Sequence, residues 1–153
     1  MQRVCFISST GGHLTQLKNI IKSFDSSKIK MITEKNETTV SLQKKYDVSY
    51  LVQQERKNIF FPLIFLINII LSLWYVIKIR PQYIISTGAG AVIPFCIFGK
   101  IFGGKLIFIE SFAKVQTPTI TGKILYRFAD KFYVQWEELL EVYEEAEFKG
   151  RLY

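Results

Sequence analysis

The chain has 153 residues, which suits one domain with a complete core, and hydrophobic residues make up 49% of it. Its net charge of +7 is uneven, because residues 137–147 carry six glutamates and no Lys or Arg, which leaves +13 on the rest of the chain. A basic body favours an anionic partner. Since no nucleic-acid motif is visible and basic residues flank the most apolar segment, we expect an anionic membrane surface and no nucleic acid.

Hydrophobic periodicity predicts strands that alternate with helices along the chain. Strands are predicted at residues 3–8, 28–33, 48–52, 83–86, 105–109 and 131–134. Helices are predicted at residues 14–24, 38–45, 91–102, 122–129 and 137–146, with a long apolar segment at 59–77. This alternation predicts an α/β fold, a Rossmann-like parallel sheet with helices on both faces, in a single domain over residues 1–153. Ligands of such sheets bind at the carboxyl ends of the strands.

The turn after the first strand, SSTGGH at residues 8–13, is the most informative motif. Gly11 and Gly12 lack a Cβ and allow a close backbone approach, and the following helix offers unpaired N–H groups at its positive end. Such a turn can hold an anion or a sugar hydroxyl. His13, the only histidine, lies in the first helical turn, where the helix dipole favours a neutral imidazole that accepts a proton. His13 is therefore a candidate general base, with a capping or supporting role as the alternative.

Two further turns fall at predicted strand ends. The sequence TGAG at residues 87–90 opens a helix after the fourth strand, and Glu110 and Ser111 follow the fifth. A carboxylate directly after a buried apolar run is costly unless it is exposed or paired. Glu110 is therefore a candidate catalytic carboxylate at the strand end. The alternative is that it forms a salt bridge to a neighbouring Lys or caps the following turn.

The apolar segment at residues 59–77 is uncharged and long enough to span a bilayer. A single crossing would put the flanking predicted strands on opposite sides of the membrane, where they could not share one sheet. Both flanks are basic, so charge gives no preferred orientation. We expect a helix over about residues 59–79 that lies in the interface with its basic ends on lipid phosphates. A helix buried in the crossover and a true span are the alternatives.

The expected membrane contacts combine large apolar side chains with basic ends. Trp74 and Tyr75 suit the level of the lipid headgroups, and Asn68 and Ser72, four residues apart, form a narrow polar stripe. These features predict a peripheral or monotopic protein at the cytoplasmic face of the cell membrane. The full set of expected contacts is Phe60, Phe61, Ile64, Trp74, Tyr75, Lys78 and Arg80.

No cofactor and no metal is expected. The first turn lacks the dinucleotide fingerprint G-x-G-x-x-G, and the second has Ile93 where the third glycine belongs, although Glu34 lies where a ribose-binding acid would sit. Cys5 and Cys96 are far apart in apolar stretches, which predicts buried, reduced thiols in a cytosolic protein rather than zinc ligands. No long apolar segment precedes residue 3, so no signal peptide is expected.

The C-terminal segment is acidic and aromatic, unlike the basic body. A solvated helix face is the simplest interpretation of its glutamates, with the apolar residues between them packed in part on the body. Such a terminus also suits the docking of a partner subunit. The candidate interface residues are Trp136, Tyr143, Phe148 and Tyr153.

Four motifs in order resemble the acceptor-side subunit of two-part GT-B glycosyltransferases. They are VCFISSTGGHL at residues 4–14, STGAG at 86–90, IESF at 109–112 and VQW at 134–136, so the resemblance covers essentially the whole chain. The eukaryotic relative is the membrane-anchoring subunit of the transferase that adds the second N-acetylglucosamine to dolichol-diphosphate-linked sugar. Bacterial relatives act in capsule and exopolysaccharide synthesis, as the enhancer subunit of a β-1,4-galactosyltransferase or as a glucuronosyltransferase subunit.

This resemblance implies a domain equivalent to the N-terminal half of a GT-B glycosyltransferase. It also implies that a separate catalytic subunit binds the UDP-sugar, while this chain contacts the membrane and a polyprenyl-diphosphate-linked sugar acceptor, without a metal. Ser9 and Thr10 stand where the related lipid II-forming transferase has an extra glycine. By resemblance, His13 would line the cleft, and the residues that would hold the acceptor or complete the site are Thr10, Gly11, Gly12, Thr87, Gly88, Gly90, Glu110 and Ser111.

The predicted function is thus a non-autonomous glycosyltransferase subunit that recruits the donor-binding subunit to the membrane and helps bind the acceptor. Transfer of β-1,4-galactose from UDP-galactose is the expected reaction, with glucuronic acid or N-acetylglucosamine as open donors. A recruitment scaffold, in which the turn residues only maintain the fold, is the second interpretation. An enzyme that binds NAD or another nucleotide is the third.

Overall fold

The computed structural model describes residues 3–25 and 29–153, which form one seven-stranded sheet whose strands all run parallel. In chain order the strands are β1 (Val4–Ser8), β2 (Lys30–Glu34), β3 (Asp47–Leu51), β4 (Tyr83–Gly88), β5 (Lys105–Ile109), β6 (Lys131–Val134) and β7 (Glu147–Phe148). Their order across the sheet is β3-β2-β1-β4-β5-β6-β7. Because neighbouring strands are parallel, all their carboxyl ends lie along one end of the sheet.

Helices cover both faces of the sheet. They are α1 (Gly12–Ile21), α2 (Phe61–Ile79), α3 (Ile93–Ile101) and α4 (Ile120–Leu125). Helix α1 packs on one face, in a core cluster that includes Phe6 and Leu17. Helices α2, α3 and α4 pack on the other face, in a second cluster that includes Ile7, Phe95 and Phe108. The alternation of Phe6 and Ile7 between the two clusters follows from the two-residue period of a strand.

This architecture confirms the predicted α/β fold. The central strands are buried on both faces, which is why they form continuous apolar runs in the sequence. The predicted start of the second strand, residue 28, lies outside the described residues, and the short helix predicted at 38–45 is a 3-10 segment, Val40–Lys44. Helix α4 begins before its predicted start because the Thr119 hydroxyl accepts a hydrogen bond from the Gly122 N–H at 2.8 Å and caps the helix.

The helix predicted at residues 137–146 is wrong. The segment forms only a short 3-10 turn, Glu137–Glu141, and the chain after it joins the sheet at Glu147–Phe148 as β7 beside β6. Like charges four residues apart oppose a helix over this acidic run. Lysines favour the strand instead, because the Nζ atoms of Lys131 and Lys149 lie 2.6 and 3.3 Å from the Glu147 carboxylate.

Helix α2 turns a narrow, partly polar stripe toward the protein and leaves most of its apolar residues exposed or half-buried. Its buried positions are Asn68, Ser72 and Val76, spaced four residues apart. Asn68 holds the backbone just beyond β3, since its Oδ1 accepts from the Val52 N–H and its Nδ2 donates to the Val52 carbonyl, both at 2.9 Å. The polar stripe predicted from the sequence therefore faces the protein, and the apolar surface of α2 remains uncovered.

Replacing Asn68 by alanine is expected to lower the free energy of unfolding by about 1–3 kcal/mol, because both backbone groups of Val52 lose their partner. The matched control is Ser72→Ala, one turn along the same buried stripe. The Ser72 hydroxyl has no hydrogen-bond partner within residues 3–25 and 29–153, so its loss should be neutral or stabilising. Urea unfolding followed by circular dichroism measures both, and equal effects would contradict this account of α2.

Both cysteines are fully buried free thiols. Burial raises the pKa of the Cys96 thiol to about 12, and it raises the pKa of the Cys5 thiol well above its usual range. Both groups therefore stay protonated and unreactive at neutral pH, as the apolar sequence around each of them predicts.

Candidate functional site

The turn between β1 and α1 is fixed to the end of β4 by a reciprocal pair of hydrogen bonds. The Nδ1 atom of His13 lies 2.7 Å from the Thr87 carbonyl, and the Thr87 hydroxyl donates to the His13 carbonyl at 2.7 Å. Because a carbonyl only accepts, Nδ1 carries the proton and Nε2 is left with a free lone pair in the neutral ring. Gly11 precedes the helix with a φ of +68°, a conformation that glycine adopts without strain.

Gly88 allows the imidazole to lie against the end of β4. Its φ is +102°, and a Cβ there would meet Phe108 Cζ at 3.4 Å and His13 Nδ1 at 3.5 Å. Gly90 follows in the same turn, where a Cβ would lie 3.4 Å from the Gln54 amide nitrogen. The two predicted glycine turns are thus neighbours in space, as their positions after adjacent strands β1 and β4 require.

A cleft of about 240 Å³ opens at this point, at the carboxyl ends of β1, β2 and β4. Its lining includes His13 and Gly90, which the sequence predicts. It also includes Ser9, Glu34, Gln54 and Arg56, which the prediction of site residues omits. Within residues 3–25 and 29–153, no cluster of His, Cys, Asp and Glu is suited to hold a metal ion.

Glu34 is a buried carboxylate in the wall of this cleft. It accepts a hydrogen bond from the Ser9 hydroxyl and a second, at 2.8 Å, from the Gln54 N–H. Glu34 ends β2, which is where a ribose-binding acid is expected in a dinucleotide-binding fold. Here the carboxylate instead ties the first turn to the segment that follows β3.

Glu110 is positioned differently from the predicted catalytic carboxylate, because it has no exposed surface. Its carboxylate accepts from the Ser111 N–H at 2.7 Å, from the Thr119 hydroxyl at 2.8 Å and from the Tyr143 hydroxyl at 2.8 Å. A Cβ added at Gly122 would overlap it. Glu110 therefore holds both ends of the loop at residues 111–119 together and is closed off from the cleft, which is a structural task.

Tyr143 is also a correction, since it is 2% exposed and cannot meet a partner as predicted. Burial and the adjacent Glu110 carboxylate raise the pKa of its hydroxyl well above its usual range. Phe148 is half-buried and packs against the core cluster that contains Tyr143. Of the predicted interface residues, Trp136 is half-buried under the Arg151 guanidinium, 3.8 Å from the ring centre, and Tyr153 is 61% exposed.

The last residues return to the first turn. Leu152 is held by Gln135, whose Oε1 accepts its N–H at 2.9 Å, and by Asn19, whose amide donates to its carbonyl at 2.8 Å. The Tyr153 ring lies edge-on to Phe112 at 4.8 Å. Tyr153 thereby borders a second hollow beside the α1 N-terminus. The other residues that line this hollow include Gly12, His13, Gln16 and Ser111.

The 240 Å³ cleft opens close to where α2 begins. Arg56 lines the cleft, and α2 starts five residues later at Phe61. Among the predicted membrane residues, Phe60 is 62% exposed and Trp74 is 50% exposed, with the Lys78 ammonium 4.7 Å from the Trp74 ring centre. Lys78 and Arg80 are exposed at the far end, and Phe61 and Ile64 are half-buried.

Tyr75 lies on the protein side of Trp74, and the two ring centres are 5.1 Å apart. Its ring packs against the core cluster, and its hydroxyl donates to the Tyr50 carbonyl at 2.8 Å. By length and composition alone, Phe61–Ile79 is one helix that could cross a membrane, and only 17% of its apolar window is buried. Helix α2 packs on the same core as the sheet. If α2 crossed the bilayer in this position, the charged surface of the domain would have to enter the bilayer as well.

The sheet and its helices have the fold of one half of GT-B glycosyltransferases and of UDP-N-acetylglucosamine 2-epimerases. The crystal structure of MurG from Acinetobacter baumannii superposes with a TM-score of 0.73 at 14% identity, over 90% of this chain and 43% of that one. The UDP-N-acetylglucosamine 2-epimerase of Rickettsia bellii gives a TM-score of 0.73 at 16% identity, over 99% of this chain and 45% of that one. At these identities the likeness defines the fold.

The chain belongs to the family described as "Oligosaccharide biosynthesis protein Alg14 like", whose family model matches residues 4–152. The mouse UDP-N-acetylglucosamine transferase subunit ALG14 is 31% identical over 91 residues, which cover 53% of this chain and 42% of the mouse protein. The Schizosaccharomyces pombe subunit of the same name is 39% identical over 75 residues, 46% of this chain and 36% of the yeast protein. The match thus spans less than half of each of these relatives.

Proposed function

We propose that this chain is the acceptor-side subunit of a two-chain glycosyltransferase that uses a polyprenyl-diphosphate-linked sugar. The observation that carries the proposal is the position of the cleft: His13 and Arg56 line it, and the exposed apolar helix α2 begins beside it. A lipid-linked acceptor held with its chain in the membrane reaches such a cleft without leaving the bilayer. Family membership supports the same assignment, because the named relatives are subunits of a sugar transferase.

In the proposed reaction, an acceptor hydroxyl attacks the anomeric carbon of a UDP-sugar bound by the partner subunit. The new bond joins the acceptor oxygen to the sugar, the bond from the sugar to the diphosphate of UDP breaks, and UDP leaves with the electron pair. The hydroxyl proton passes to Nε2 of His13, whose ring orientation is held by the hydrogen bond from Nδ1 to Thr87. The backbone at Gly11 and Gly12 leaves room for the acceptor at the N-terminus of α1.

The finer proposal concerns the sugar. The sequence resemblance to bacterial subunits favours β-1,4-galactosyl transfer from UDP-galactose in capsular or exopolysaccharide synthesis, whereas the names of the mouse and S. pombe relatives specify UDP-N-acetylglucosamine. The donor site belongs to the partner subunit in this proposal. Comparison of the two donors in the assembled complex therefore tests the partner's specificity and leaves the role of this chain unchanged.

Membrane association at the cytoplasmic face is the second part of the proposal, with α2 lying flat in the interface. The buried Asn68 stripe fixes which side of α2 faces the protein, so the opposite apolar side is the one offered to lipid. Arg56 and Lys57 precede the helix, and Lys78 and Arg80 end it. Basic residues at both ends suit a helix whose two ends meet the same anionic surface.

The triple variant Phe60→Ser/Ile70→Ser/Trp74→Ser is expected to lower vesicle binding roughly 100-fold, from about 1 kcal/mol for each half-exposed apolar side chain. All three side chains are at least half exposed, so folding should be unaffected. The control is Val40→Ser/Val142→Ser, which changes exposed apolar residues away from α2. Flotation with phosphatidylglycerol-containing liposomes makes the comparison, and undiminished flotation of the triple variant would end the membrane assignment of α2.

A recruitment scaffold without a chemical role is the second candidate function. The specific observation in its favour is the burial of Glu110, which removes one of the two predicted catalytic groups from the cleft. In that case the cleft residues serve only to bind the acceptor or to maintain the fold. Substitution of His13 separates the two functions.

A further inference from the structure

A separate hollow of about 400 Å³, the basal hollow, lies at the opposite end of the sheet from the cleft. It is built where β1 and β4 begin and where α2 ends. Its lining includes Arg3 and Gln82 before the two strands, Arg80 after α2, and the apolar side chains of Val76, Ile77 and Phe102. In the proposed function Arg80 is only a basic residue at the end of α2, and Arg3 has no role.

Two basic residues, Arg3 and Arg80, line this hollow, and both are exposed. Neither the Arg3 nor the Arg80 guanidinium forms an ion pair among the described residues 3–25 and 29–153. The frame around them uses neither arginine side chain, because the Arg3 N–H donates to the Gln82 side chain at 3.0 Å and the Arg3 carbonyl accepts from the Gln82 N–H at 2.9 Å. The two arginine side chains can therefore be changed without removing the frame.

The rim of the hollow is apolar and exposed. Phe102, after α3, is 60% exposed, Ile77 on α2 is 49% exposed, and both line the hollow; Ile101, which precedes Phe102 in the chain, is 68% exposed. Two arginines in a hollow with an apolar rim match the chemistry of a phosphate ester that carries hydrocarbon chains. A soluble phosphate ester would use the two charges and leave the apolar rim in water.

The position of the hollow adds a geometric argument. Helix α2 has 19 residues, so its ends are roughly 28 Å apart at 1.5 Å per residue. The cleft lies near its first turn and the hollow at its last. A phosphate bound at the hollow would hold the far end of α2 at the headgroup level and keep the helix parallel to the surface.

We propose that this basal hollow binds the phosphate of an anionic phospholipid headgroup between Arg3 and Arg80. The inference rests on the proposed membrane association of α2 and adds a specific site to it. The bound lipid is a fixed component of the membrane-attached state and is distinct from the acceptor, which occupies the cleft at the other end of the sheet. No bond is made or broken in this binding.

The test compares vesicles of phosphatidylcholine alone with vesicles that also contain phosphatidylglycerol. The double variant is Arg3→Gln/Arg80→Gln, and its control is Lys44→Gln/Lys45→Gln, which removes the same charge at the end of the 3-10 segment Val40–Lys44, away from the basal hollow. The wild-type chain should gain affinity from phosphatidylglycerol. The affinity of the arginine variant for vesicles that contain phosphatidylglycerol should be roughly 10- to 30-fold lower than that of the wild type, because a basic residue near an anionic surface contributes about 1 kcal/mol. The affinity of the lysine control should fall by less than about threefold.

Each outcome has a separate meaning. If phosphatidylglycerol raises the vesicle affinity of the arginine variant as much as that of the wild type, the proposed lipid site is wrong. If both chains still bind phosphatidylcholine vesicles in that case, the proposed membrane role of α2 is unaffected. Failure of the wild type to bind any vesicle would contradict the proposed membrane role itself. Calorimetry with glycerol 3-phosphate distinguishes a soluble ligand: tight binding that the arginine variant loses, with vesicle binding unchanged, would replace the lipid by a free phosphate ester. Thermal unfolding of each variant confirms that it is folded.

Discussion

Replacing His13 by alanine is expected to reduce sugar transfer by the assembled complex about 10²- to 10⁴-fold, the usual contribution of a general base. The expectation follows from the free Nε2 atom, which the hydrogen bond from Nδ1 to the Thr87 carbonyl leaves available to accept the acceptor's proton. Turnover is measured on a lipid-linked acceptor, and pull-down of the partner subunit reports assembly. Assembly should be unchanged, because His13 lines the cleft beside the first turn.

His13→Asn is the matched variant for this experiment. An asparagine amide can donate to the Thr87 carbonyl in place of Nδ1, but it offers no nitrogen that takes up a proton. Loss of turnover in both variants, with assembly intact, indicates proton transfer by His13. Recovery of activity in His13→Asn would show that the histidine only positions the turn. Activity of His13→Ala within about twofold of wild type would remove the residue from the mechanism and favour the scaffold.

Replacing Glu110 by alanine should have the largest effect on stability, a loss of about 3–5 kcal/mol in the free energy of unfolding. The Ser111 N–H, the Thr119 hydroxyl and N–H and the Tyr143 hydroxyl all lose their acceptor. Each buried donor without a partner costs about 1–3 kcal/mol, and a domain of this size has a total stability of about 5–15 kcal/mol. Urea unfolding measures the change.

Two variants calibrate that result. Tyr143→Phe removes one donor and leaves the carboxylate its other partners, so it should cost about 1 kcal/mol. Glu138→Ala removes an exposed glutamate and should stay within about 0.5 kcal/mol of wild type. If Glu110→Ala unfolds at the same urea concentration as Glu138→Ala but abolishes sugar transfer, the carboxylate acts in catalysis and the structural account of Glu110 is wrong.

The sheet could be predicted from the sequence because its central strands are buried on both faces. The apolar runs of β1, β4 and β5, each followed by glycine or polar residues, indicate both the strands and the end of the sheet where the turns meet. Parallel pairing then brings His13 and Thr87 together, as their two hydrogen bonds confirm. The two-residue strand β7 is too short to give a periodic pattern, and a run of glutamates hides it.

The missed parts of the site depend on the direction of single side chains. Position alone puts Glu110 at a strand end, but whether its carboxylate faces the cleft or turns inward depends on Thr119 and Tyr143, nine and 33 residues further along the chain. Arg56 reaches the cleft from the loop before α2, a segment without any motif. The polar stripe of α2 was visible, but only the pairing of Asn68 with Val52 shows that the stripe faces inward.

The most direct test of the central claim measures sugar transfer to a lipid-linked acceptor in three reactions: this chain alone, a donor-binding partner subunit alone, and both together. UDP-galactose and UDP-N-acetylglucosamine are each supplied as donor. The account predicts that the mixture turns over far faster than the partner alone and that this chain alone gives no product. Transfer by this chain alone would contradict the account, because the donor site would then lie within these 153 residues.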